Sequence, residues 1–266
     1  MNNIFDIKRF GQYFLYDLRR AKNNYGLSLL LLGLMPVIFF LFYQFFSLIS
    51  GHGITELPDE MQFMAVFVAT ITVIFSAGVK IYGFVTEKRA GSDFLMLPAS
   101  TLEKWLSILL TVCIVVPVVL FGLTFLSDAL MSTVFPNAYG DRIMIADFAR
   151  DMFEALGEEG ISINMPGLIF LNWCANILVF TLGAVCFKKA KVAKTLLFIF
   201  AFSMVLSLIL VLIFGTSHID TDWLEMHFSD PQSIERFLNW TISITLTVLF
   251  GGLLGGLYYR LRTLKH

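Results

Sequence analysis

The chain has 266 residues, 57% of them hydrophobic and only 15% charged, with a mean hydropathy of +0.77 and a formal net charge of −1. A water-soluble domain of this length needs more charge to cover its surface, so a soluble globular fold is excluded and the apolar surplus must face lipid. The balanced total charge says nothing about partners, whereas its distribution along the chain does.

Residues 4–22 open the chain with Ile7, Phe10, Phe14 and Leu18 at helical spacing and Lys8, Arg9, Gln12 and Arg19 around the rest of the turn. This pattern predicts an amphipathic helix lying on the inner membrane surface. A helix needs about 20 apolar residues to cross the hydrocarbon. Six runs qualify: 27–49, 62–85, 105–126, 167–187, 195–214 and 237–259. They are continuous rather than alternating, and a spanning segment must satisfy its backbone internally, so each is expected to be a helix. The expected fold is therefore all-α: one polytopic domain over 1–266, with six transmembrane helices and an interfacial helix at its start. No cleavable leader is expected, because the first apolar run starts late, is too long, and lacks a small-residue cleavage site after it.

Local signals refine the boundaries. Ser100 followed by Glu103 is a capping box that starts the third span at Thr101, with Pro98 just before it. Pro166 suits the first turn of the fourth. The outer segment 131–165 contains a second candidate surface helix over 145–156, with Phe148, Met152 and Phe153 on one face.

Lysine and arginine set the orientation. All but Arg142, Arg150 and Arg236 fall in the N-terminal segment, the second-to-third and fourth-to-fifth connections, the rims beside them, and the C-terminal tail. That side is the cytoplasm, and an even number of spans puts both termini there. The opposite side is acidic, with Asp141, Asp147, Asp151, Glu154, Glu158 and Glu159 before the fourth span and Asp220, Asp222, Glu225, Asp230 and Glu235 before the sixth. A solvated outer surface and a cation-attracting vestibule both fit it.

Within the spans there is little chemistry. Lys80 and Asp128 lie near helix ends, where they can snorkel or reach water. Deeper polar residues are Thr70, Thr72, Ser76, Thr111, Asn172, Asn176, Ser203 and Ser207, types that join helices by hydrogen bonds or line a path. Asn172 and Asn176, one turn apart on one face, are the first choice for path lining. Cys113, Cys174 and Cys186 have no CxxC spacing and read as small buried hydrophobes. There is no HExxH, GxSxG or GxxxxGK[ST] pattern, so neither an enzyme nor a bound metal or cofactor is expected on this chain. Gly251, Gly252, Gly255 and Gly256 form two overlapping GxxxG frames, which suit close helix packing within the bundle or between copies.

The connection TEKRAGSDFLMLPASTLEKW, residues 86–105, is the most informative stretch. It sets Phe94, Leu95, Met96, Leu97 and Pro98 between charged flanks, and such an apolar patch wants the membrane interface or a partner. The basic amphipathic start, six spans and this element resemble ABC-2-type transporter permeases, most of all the small permease-like proteins of Bacteroidetes. In sequence the resemblance lies mainly in residues 24–36 and 87–104. It implies a multi-pass permease subunit of a bacterial inner membrane. Its partners would be a separate ABC ATP-binding subunit, a second permease copy or homologue, and the lipid bilayer, with no nucleic acid. The resemblance makes Glu87, Phe94, Leu95 and Leu97 the candidates for docking the ATPase. One departure is that the longest outer segment lies between the third and fourth spans here, whereas in the family it often lies between the fifth and sixth. The alternative is a membrane protein that does not transport: an immunity, sensory or assembly factor.

Overall fold

The computed structural model describes residues 5–140, 165–214 and 231–264. It is 88% helical and, among the described residues, has no strand. In chain order the elements are α1 (Ile7–Gly33), α2 (Met35–Ile49), α3 (Asp59–Tyr82) with a 3₁₀ turn (Gly83–Thr86), α4 (Lys88–Met96), and α5 (Thr101–Leu109). A π turn (Leu110–Val115) then leads into α6 (Val116–Val134), followed by α7 (Pro136–Tyr139), α8 (Met165–Cys186), α9 (Lys191–Phe214) and α10 (Pro231–Thr263). Among the described residues, five helices are long and apolar enough to cross a membrane, and α1 with α2 makes a bent sixth. The expected all-α polytopic fold is what the chain adopts.

The N-terminal part differs from expectation. No separate interfacial helix ends near residue 22. Instead α1 runs unbroken from Ile7 to Gly33 and carries the chain into the first span. Its buried stripe is Tyr13, Asp17, Ala21, Tyr25, Leu29 and Leu32, at helical spacing, while Ile7 is exposed. The side with the most regular burial therefore packs on protein, not on lipid. The first span is not straight either. It breaks at Leu34 and turns by 47° into α2. Pro36 is the cause: it has no N–H to give Leu32, and its ring collides with that carbonyl.

Beside each proline inside a span, a side chain from a neighbouring helix bonds the backbone. At the first break Ser127 Oγ donates to the Gly33 carbonyl at 2.8 Å. Pro117 likewise leaves the carbonyl of Cys113, four residues back, without a helical donor. Cys174 of α8 points its thiol at that oxygen, Sγ to O 3.9 Å, beside the π turn. Backbone groups that lipid cannot satisfy are thus met by side chains across the bundle. Cys113 and Cys174 are buried, as the sequence suggests, while Cys186 is exposed at the end of α8.

The capping box forms as expected: Ser100 Oγ accepts from the Glu103 N–H, and the Glu103 side chain accepts from the Ser100 N–H. Thr101 to Val134 continues as one rod that extends past the expected end of the third span. Asp128 lies on this extension. It does not reach water: it is 1% exposed and accepts from Tyr139 Oη at 2.5 Å, while Gln62 Nε2 donates to the Tyr139 carbonyl. The α7 turn has folded back over it. Pro166 sits in the first turn of α8. The candidate helix at 145–156, and most of the outer segment, lie outside the described residues.

The core sits where α3 and α8 pack together. Ala65, Ala69, Val73 and Ala77 of α3, spaced every four residues, are fully buried. Small side chains let the backbones approach, and van der Waals contact then supplies the attraction that water cannot supply in lipid. Gly78 against Thr181 and Gly183 against Thr195 of α9 are the closest approaches, and a Cβ at either would overlap its neighbour. Gly78→Leu or Gly183→Val should therefore cost about 1–3 kcal/mol of stability. Gly122→Ala, facing open space on α6, should be neutral or slightly stabilising. Thermal unfolding of the purified variants in one detergent checks the contrast.

Candidate functional site at the basic rim

The start of α1 carries an acidic residue that sequence reading passes over. Asp17 is 3% exposed, on the same stripe as Tyr13 and Ala21. Its Oδ2 accepts from Tyr82 Oη of α3 at 2.7 Å and from Ser107 Oγ of α5 at 2.6 Å. A buried carboxylate is tolerable only with such donors. Here they come from two different helices, so one oxygen ties three together. Thr111, one turn beyond Ser107 and inside the π turn, is buried beside the Tyr82 phenol but makes no hydrogen bond of normal geometry. The signal was present: Asp17 is the only acid between residues 7 and 55, on a Tyr–Asp–Ala–Tyr repeat of four.

A second tie lies closer to the end of α1. Arg9 Nε donates to Glu103 Oε2 at 2.9 Å and its Nη2 to Oε1 at 2.6 Å. The Asp6 N–H also donates to Glu103 Oε1 at 3.0 Å. Glu103 is fully buried and so caps α5, pairs with Arg9 and receives the start of α1 at once. Paired geometry of this kind fixes orientation as well as distance.

The connection between the second and third spans is wedged between these helices. The Arg20 guanidinium lies 3.3 Å above the Phe84 ring, and Phe84 meets Phe94 edge-on at 6.0 Å. Lys104 Nζ donates to the carbonyls of Phe94 and Leu95 at the end of α4, at 2.7 and 3.3 Å. A lysine there satisfies carbonyls the helix leaves unpaired. Lys191 Nζ bonds the Gly83 carbonyl, and Thr86 Oγ1 donates to the Phe187 carbonyl, so the fourth-to-fifth connection joins the same block. Trp105 Nε1 donates to the Leu254 carbonyl and Arg260 Nε to that of Val185, which adds α10.

Four residues were expected to dock a partner, and the structure divides them. Phe94 is 2% exposed and belongs to the core, so it is not a surface contact. Leu97 is half-buried and packs on the same core. Glu87 and Leu95 are exposed, and Met96 at 81% is the most open of the patch. The helical period explains this: on a nine-residue amphipathic helix, one apolar side chain turns to the bundle and its neighbours turn away.

Asn172 and Asn176 do share a face, and Asn176 Nδ2 donates to the Asn172 carbonyl and Oδ1 at 2.8 and 3.0 Å. They are exposed on the outside of this chain. Of the four glycines in α10, only Gly256 is placed so that an added Cβ would touch another described element, 3.6 Å from Leu182 Cδ2; at Gly251, Gly252 and Gly255 it would meet open space. Among the described residues no group of three His, Cys, Asp or Glu could hold a metal ion. Searches against protein-family models, curated proteins and solved structures find no match to this chain.

Removing either donor to Asp17 leaves a buried carboxylate short of a hydrogen bond. Tyr82→Phe and Ser107→Ala should each lower unfolding stability by roughly 1–3 kcal/mol. Because both donors use one oxygen, the double variant should depart from the sum of the two. Strict additivity in a double-mutant cycle would show that the two donors act separately.

Proposed function

We propose that this chain is the membrane-spanning subunit of an ABC-type transporter in a bacterial inner membrane. A separate ATP-binding subunit would supply the energy, and the bundle would move a substrate outward or across. The observation that carries this reading is α4. It is a short amphipathic helix on the basic face, anchored inward by Phe94 and by Lys104, with Glu87 exposed at its start and Leu95 and Met96 exposed at its end. An anchored helix with an exposed apolar edge is suited to take a push from a soluble partner and pass it on. The ties at Arg9–Glu103 and Asp17 give that push a route into α1, α3 and α5 as one block, with the breaks at Leu34 and the π turn beyond it. Two packed arrangements of such a block are the form that mechanical coupling takes.

Two outcomes check this. Leu95→Asp, or Met96→Asp, should release the ATP-binding subunit from complexes purified in mild detergent, without loss of membrane insertion; a complex that survives both changes assigns α4 to the lipid interface instead. Arg9→Ala should keep the complex but reduce stimulation of ATP hydrolysis in liposomes, with Arg9→Lys in part restoring it. Unchanged stimulation in Arg9→Ala would remove the tie from the route.

A further inference from the structure

As a carboxylate, Asp17 carries a charge that its hydrogen bonds do not balance. Tyr82 and Ser107 are neutral donors, and both use Oδ2, so Oδ1 receives no hydrogen bond among the described residues. The cations of the rim are committed elsewhere. Arg9 pairs with Glu103, and Lys104 Nζ lies on the carbonyls of Phe94 and Leu95. Arg20, the cation whose charge bears on Asp17, lies over the Phe84 ring and makes no bond to the carboxylate. A carboxylate only 3% exposed and without a bonded counter-charge is costly. In a membrane bundle an ionisable residue in that state is the mark of an ion or proton site.

The same place holds an unpaired hydroxyl. Thr111 Oγ1 is buried and has no hydrogen-bond partner among the described residues. A helical threonine ordinarily donates to the carbonyl three or four residues back. Each of the other buried threonines among the described residues does so: Thr86 to Gly83, Thr124 to Leu120, Thr181 to Ile177 and Thr195 to Lys191. Thr111 is the exception. It lies in the π turn, where the hydrogen-bond register is one residue wider. Its hydroxyl stands beside the Tyr82 phenol, the same phenol that donates to Asp17.

Oxygens are thus gathered from three helices: Asp17 of α1, Tyr82 of α3, and Ser107 and Thr111 of α5 and its π turn. Tyr82 Oη and Ser107 Oγ give their hydrogens to Oδ2 and keep lone pairs of their own. An all-oxygen set with one carboxylate suits a hard cation and not a transition metal. One negative charge balances a monovalent ion, whereas a divalent ion would leave an uncompensated positive charge in the bundle. Ser107 is one turn beyond Glu103 of the capping box, which at 1.5 Å per residue is about 6 Å along the helix. The place is therefore near the rim and not at mid-depth.

We propose that Asp17, Tyr82, Ser107 and Thr111 form a binding site for one small monovalent cation of sodium's size. The ion lies against the Tyr82 phenol, between Asp17 and Thr111, and supplies the counter-charge that no side chain supplies. It gives the unpaired Thr111 oxygen its partner and clamps α1, α3 and α5 together. All four residues are at most 3% exposed, so the ion is enclosed as part of the fold and is not cargo. The assignment stands whether or not α4 docks an ATPase.

Thermal unfolding of the full purified chain tests it, in one detergent and at one pH, with sodium chloride exchanged for choline chloride at constant ionic strength. Choline has the same charge and is too large to enter. Sodium should raise the unfolding midpoint saturably, by about 5–10 °C at about a hundredfold excess over its dissociation constant. Asp17→Asn should abolish that rise. Thr111→Val covers the case in which Asp17→Asn does not fold: it deletes a hydroxyl that has no partner, so the midpoint in choline should not fall, yet the rise with sodium should be lost. Equilibrium dialysis with radioactive sodium should find one ion per wild-type chain. Equal midpoints in the two salts, or no bound sodium, overturn the proposal and leave Thr111 to an ordered water. So does a rise with sodium that Thr111→Val leaves intact.

Discussion

The hydrogen bonds to the Asp17 carboxylate are the constraint on which the basic half of the structure depends. Inside lipid, one apolar helix gains nothing from water by meeting another, so positions are set by close contact and by polar groups that must find each other. Asp17 takes its two donors from α3 and α5. A slide of α1 along either helix would strand a charge away from water, and that penalty is far larger than the loss of an ordinary surface contact. With α1 held, Arg20 is carried over Phe84, Phe84 meets Phe94, and α4 has its place. The acidic half has its own version of the device, in which Asp128 receives Tyr139 and Gln62 holds the carbonyl of the same residue.

Between those two pins the spans are allowed to deviate. Leu34 and the π turn are the places where the backbone departs from a regular α-helix, and beside the proline at each a carbonyl takes a bond from a different helix, Gly33 from Ser127 and Cys113 from Cys174. They are places where the helix ladder has already been exchanged for side-chain bonds, so a change in bend there breaks fewer intrahelical bonds than a bend elsewhere. The stiff rim and the two breaks divide each rod into an anchored inner part and a differently directed outer part.

How much of this could be read from residues alone follows from which physics sets each feature. Span positions and the start of α5 were legible, because apolar run length and the Ser100–Glu103 box are local. The continuation of α1 to Gly33 was not. Residues 4–22 have a surface-helix pattern that outweighs the Tyr13–Asp17–Ala21–Tyr25 repeat, and the partners Tyr82 and Ser107 decide that this stripe faces inward. The apolar patch at 94–98 was half legible: charged flanks mark it off, but which of Phe94, Leu95 and Leu97 turns inward depends on the helix phase. The glycines misled by conspicuousness. The GxxxG frames in α10 leave three glycines open, whereas isolated Gly78 and Gly183 make the tight crossings, because what matters is the residue opposite.

The distribution of burial bears on what one copy can do. Of the residues in Ile169–Cys186 of α8, 56% are buried, against 6% in Lys191–Leu208 of α9 and 11% in the most apolar stretch of Ser243–Thr263 of α10. A path across the membrane must be walled on all sides from lipid, yet the polar residues best suited to face one, Asn172 and Asn176, are outside the packed core and beside the two least enclosed spans. The interior of this chain, by contrast, is filled: alanines of α3 at zero exposure against Ile177 and Leu178 of α8. Close-packed side chains of that kind leave no route without large displacement. The outward amides and the filled core thus point the same way: the described part of this chain keeps its packed apolar contacts inside and its asparagine pair outside.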